Sequence, residues 1–108
     1  MTPVTSTTNE GIKITITPLD AQGLPTVVDG NINWEVIDGD CTLEPSEDGS
    51  SCKVTGNTAG STVYQVRAFA DADLDAGEER IIDEIFVYTT TVPEAQGFGV
   101  ATETFVKA

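Results

Sequence analysis

The chain has 108 residues, 18 of them acidic against five lysines and arginines, with no histidine and a formal net charge of −13. That length builds one hydrophobic core rather than two, and so negative a field repels phosphate backbones and anionic headgroups, which argues against nucleic-acid and membrane partners. Hydrophobic residues at 39% and charged ones at 21% leave enough apolar surface to fold.

Met1-Thr2-Pro3-Val4 lacks the basic start and apolar stretch of a secretion signal. No apolar run approaches the roughly 18 residues that span a bilayer. The expectation is a soluble chain made and kept in the cytoplasm until it assembles. Residues 1–10, rich in Thr and Ser, read as an arm or a first edge strand.

Ile12-Lys13-Ile14-Thr15-Ile16-Thr17 alternates at period two and puts three isoleucines on one face of a strand. Pro18 cannot donate to a ladder, and Asp20-Ala21-Gln22-Gly23 supplies turn chemistry, so the strand stops there. Asn31 to Ile37 alternates again, which predicts Ile32, Trp34 and Val36 inside. Cys41-Thr42-Leu43 and Cys52-Lys53-Val54-Thr55 flank the turn formers Glu44 to Ser51 and predict a hairpin. Thr62 to Ala70 reads as a strand with Tyr64, Val66, Ala68 and Ala70 on one side. Ile81 to Thr91 is the last long β-rich run; Ile85 and Val87 are expected on its inner face, and Val92-Pro93 closes it. No segment sustains helical spacing, so the predicted class is all-β, a sandwich of about seven short antiparallel strands spanning residues 11–93. Residues 94–108 follow as a final strand or a docking tail, since Phe98, Val100, Phe105 and Val106 need somewhere to pack.

The run Ile14-Thr15-Ile16-Thr17-Pro18-Leu19-Asp20-Ala21-Gln22-Gly23-Leu24-Pro25, then Trp34-Glu35-Val36, Asp48-Gly49, Cys52-Lys53-Val54-Thr55 and Val66-Arg67-Ala68-Phe69-Ala70-Asp71-Ala72-Asp73-Leu74, resembles the bacterial immunoglobulin-like domains of tailed-phage virion proteins. The likeness spans Gly11 to Pro93. It implies an immunoglobulin-like sandwich displayed on a phage particle as a capsid decoration or head-accessory protein. The implied partner is the major capsid protein or another virion protein, and a trimer would suit a local threefold on a shell. A receptor- or glycan-binding module of a tail fibre or adhesin is the alternative that the same resemblance carries. Cys41 and Cys52 depart from the family's pattern.

Without an imidazole the usual neutral-pH proton shuttle is missing, so no enzyme activity and no cofactor are expected. Protein binding is assigned to Phe98, Val100, Phe105 and Val106, with Val4 as a lesser candidate. Asp71, Asp73 and Asp75 alternate in the manner of calcium loops, but Gly77 falls one place late for an EF-type loop and Arg80 follows; a solvated connection whose acids cap turns explains them as well. A Cys41–Cys52 bridge would close the hairpin, whereas two small buried thiols would serve the core, and reducing assembly conditions favour free thiols. Phe69 and Phe86, each on the face opposite its strand's expected core residues, are read as exposed aromatics that mark an interface.

Overall fold

Seven strands follow one another in the computed structural model, which describes residues 1–75 and 77–107: β1 (Thr2–Thr7), β2 (Ile12–Thr15), β3 (Asp29–Asp38), β4 (Cys41–Pro45), β5 (Ser51–Gly56), β6 (Thr62–Asp71) and β7 (Ile81–Thr91). None of the described residues is helical. The strands form a four-stranded sheet in the order β1, β7, β6, β3 and a three-stranded sheet in the order β2, β5, β4. All pairings are antiparallel except β1 with β7, which run parallel from Thr2 beside Phe86 to Thr7 beside Thr91. The wholly antiparallel expectation is corrected at that pair. β1 and β7 are far apart in sequence, so no tight hairpin constrains their relative direction.

The core lies between the sheets. Ile14, Cys52 and Val54 from the smaller sheet meet Ile32, Tyr64, Val66, Ala68, Ala70, Phe86 and Tyr88 from the larger, and Ile12 and Ile16 pack at its margin. β6 buries every second residue from Tyr64 to Ala70, as its alternation predicts. β7 does the reverse of its expectation: Phe86, Tyr88 and Thr90 are buried and Ile85 and Val87 turn outward. Both faces of this strand are apolar, so its pattern cannot fix the parity; pairing does, because Val66 opposite Phe86 and Tyr64 opposite Tyr88 set the rings against buried partners. Val36, expected inside, is 37% exposed, next to a register shift between Val36 and Asp38 that turns the end of β3 away.

Trp34 is half-buried. Its indole stacks on Phe86 at 5.8 Å between centroids, and its Nε1–H donates to the Gly49 carbonyl at 2.7 Å. That bond ties β3 to the β4–β5 turn across the sandwich. The turn itself is held by Asp48, whose carboxylate accepts from the Ser50 backbone N–H at 2.9 Å and from the hydroxyls of Ser50 and Ser46. Tyr64 closes the opposite end: its hydroxyl accepts from the Thr58 N–H at 3.2 Å, and its ring lies where a Cβ on Gly39 or Gly56 would collide with it.

Candidate functional site

After Thr91 the chain leaves the sheet. Pro93 has no N–H to extend the ladder, and no residue from Val92 to Lys107 joins a strand. Phe98 is 97% exposed, Val100 84%, Phe105 88% and Val106 95%, so the structure adds no final strand here and leaves all four predicted contact residues in solvent. The molecule is correspondingly long, 87 × 29 × 23 Å. Val4 is different. It sits in β1 opposite Tyr88 and is partly buried against the core, apart from the four tail residues.

Burial of Phe86 likewise corrects its reading as an exposed aromatic. Phe69 does face outward, on a sheet face where Arg67 lies 4.5 Å above its ring and bonds Glu35 at 3.0 Å and Asp83 at 2.9 Å. Those two hydrogen bonds, Glu35 first, hold the guanidinium above its ordinary pKa.

A feature that the sequence did not announce is a groove of about 420 Å³ at one end of the sandwich. Ile16 and Pro18 after β2, Val28 before β3, and Ile32, Ile82 and Phe86 supply its apolar lining. It exists because β1 starts level with Phe86, which leaves the Ile81–Ile85 half of β7 without a strand on its outer edge. Only register reveals such a gap, and register between distant strands is not written in local pattern.

No family model, curated protein or solved structure matches the chain. The site is therefore defined by geometry alone.

The calcium triad is rearranged. Asp73, Asp75 and Glu78 place carboxylate oxygens within 4.8 Å of one another, while Asp71 stands outside that group. Asp71 instead accepts the backbone N–H groups of Asp73 and Arg80, both at 2.9 Å, and Asp73 accepts that of Asp75. These acids thus tie together the β6–β7 connection, as turn-capping side chains do. Glu78, not Asp71, completes the set of oxygens that could hold a hard cation, well short of the six to eight ligands calcium takes.

Both cysteines are free thiols. β4–β5 register sets Cys41 opposite Gly56 and Cys52 opposite Pro45, roughly 13 Å apart along the ladder at about 3.3 Å per residue. A disulfide needs Cα atoms within about 7 Å. Burial raises the pKa of each thiol above its ordinary value, helped at Cys41 by the charge of Asp40.

Proposed function

We propose that this chain is a non-enzymatic immunoglobulin-like module of a phage particle, a capsid decoration or head-accessory protein that grips its neighbours through the C-terminal segment. The immunoglobulin-like part of the reading is supported by strand order. Constant-type domains place the second, fifth and fourth strands in one sheet and the third, sixth and seventh in the other, as here, with the first strand shifted to pair with the last. Trp34 lies on the third strand and packs inward on Phe86. Tyr64, at the start of the sixth, bonds back to Thr58 in the manner of a tyrosine corner. Val66, two residues further on, fills the place where antibody domains carry their second cysteine, so an apolar side chain serves there.

The observation that carries the binding role is the tail. Four large apolar side chains stay between 84% and 97% exposed on a segment that has left the fold, and side chains so placed gain most by burial against another surface. The −13 charge complements a basic docking surface and keeps the outward face of a bound copy solvated. Histidine-free chemistry and the capping role of the acidic connection both fit a module that binds rather than catalyses.

Co-sedimentation with empty shells of the particle that encodes the chain tests this. Wild type should pellet with shells, and a full-length F98D/F105D variant should stay in the supernatant while keeping its β-sheet circular dichroism. Wild type remaining in the supernatant would remove the shell as partner.

A further inference from the structure

The groove and the tail fit one another, but not within one molecule. The uncovered half of β7 runs from Ile81 to Ile85, a length of about 16 Å at about 3.3 Å per residue. Its free N–H and C=O groups border an apolar cleft, which is the arrangement that accepts an added strand. In the tail, Gly97-Phe98-Gly99-Val100-Ala101 has the same five-residue length. Extended, it turns Phe98 and Val100 to one side and only two glycines and an alanine to the other. This is a narrow strand with two apolar pegs.

The tail leaves the domain at Thr91, the far end of β7 from Ile81, and the nearer half of that same edge is filled by β1. Its four apolar side chains make no use of their own domain, being at least 84% exposed. A phenylalanine can bury about 150–250 Å², so Phe98 and Val100 together offer roughly 300 Å². With a matching contribution from the groove, these two side chains bury about 600 Å², in the range of weak, transient contacts, so the association is concentration-dependent.

We propose that the Gly97–Ala101 segment of one copy adds as a strand to the Ile81–Ile85 edge of a second copy and seats Phe98 and Val100 in the groove over Ile32 and Phe86. The proposal rests on the tail's being the docking segment and names what accepts it. Such a contact is heterologous, so it propagates as a chain or closes into a ring, and a ring of three suits a local threefold on a shell. Tail and groove are both acidic on balance: Glu94 and Glu103 outnumber Lys107, and Asp83 and Glu84 stand at the groove. Association therefore strengthens as salt screens that repulsion.

Two full-length variants test it by sedimentation velocity in high salt. F98D/V100D spoils the tail and keeps the groove; I82D charges the groove at a side chain that is 39% exposed and keeps the tail. Wild type should self-associate, each variant alone should be monomeric through a loss of about 100-fold or more in affinity, and an equimolar mixture of the two should recover a dimer. Monomeric wild type, variants that associate like wild type, or a mixture that stays monomeric would each overturn the proposal. Shell pelleting is read separately. If wild type is monomeric yet pellets with shells and F98D/V100D does not, the docking tail stands and the groove falls. A mixture that dimerises although wild type does not pellet keeps the groove and removes the shell.

Discussion

Gly49 has φ +77°, and a Cβ built on it would lie 1.9 Å from the carbonyl oxygen of Ile32. Backbone cannot yield there as a flexible side chain would, so G49A should destabilise the domain by about 3 kcal/mol or more, combining strain with a forced shift of β3. Gly60 is the control. Its φ is +83° but a Cβ would meet nothing within 4 Å, so G60A should cost only the left-handed penalty of about 1–2 kcal/mol. Urea titrations followed by circular dichroism compare the two, and equal midpoints would show that the Gly49 approach is not the tight contact described. Trp34 depends on the same turn: W34F keeps a ring on Phe86 but strands the Gly49 carbonyl, for a loss of about 1–2 kcal/mol. At this scale the sequence revealed Tyr64, Val66, Ala68 and Ala70 because the polar Gln65 and Arg67 between them fix the parity of the strand, which Phe69 then follows outward. It misplaced Phe86 because Ile85 and Val87 offer an equally apolar alternative and only the opposing residues of β6 decide between them.

Among the elements, the β4–β5 hairpin carries a titratable clasp. The Asp48 carboxylate is held below the ordinary aspartate pKa first by the Ser50 backbone N–H, then by the Ser50 and Ser46 hydroxyls. A carboxyl whose folded pKa is depressed contributes stability that is complete above its unfolded pKa, near 3.9, and is lost as pH falls through the lower folded value. D48N should therefore flatten the acid limb of the stability–pH curve below about pH 4 while leaving the neutral region without that slope. Chemical denaturation across an acid series measures it, and parallel acid limbs for both proteins would exclude Asp48 as a contributor. The same hairpin makes a statement about thiols. With burial raising both pKa values, Cys41 and Cys52 should alkylate slowly near pH 8, Cys52 the slower at 1% exposure, and both should react at once in denaturant. A bridged pair in the intact mass of the non-reduced protein would contradict the β4–β5 register. The hairpin's existence was legible from its turn formers; its register, which separates the cysteines, was not, because the Ser46–Ser50 loop could have been closed one residue earlier or later.

For the whole molecule, class and strand number follow from alternation and punctuating glycines and prolines. The parallel seating of β1 on β7 does not, because it joins the two ends of the fold and has no local signature. That seating makes the groove, and the antiparallel β6–β7 pairing puts their acidic connection at the Ile81 end of β7, with Asp83 and Glu84 beside the groove. With 18 acids on so small a body, self-repulsion opposes the compact state. Raising ionic strength from about 0.01 M to about 1 M shortens the screening length from about 30 Å to about 3 Å, which removes most of that repulsion between surface carboxylates. Relief of about 1 kcal/mol corresponds to a rise of about 4–8 °C in Tm for a domain of this size. Strand addition between copies would raise Tm as well, but in a way that grows with protein concentration. The F98D/V100D variant separates the two contributions: its Tm should rise with salt and be indifferent to concentration, while the wild-type Tm should respond to both. A variant Tm that is flat from low to high salt would mean that the acids are spaced widely enough to leave the fold unstrained, and would place their role at the binding surface alone.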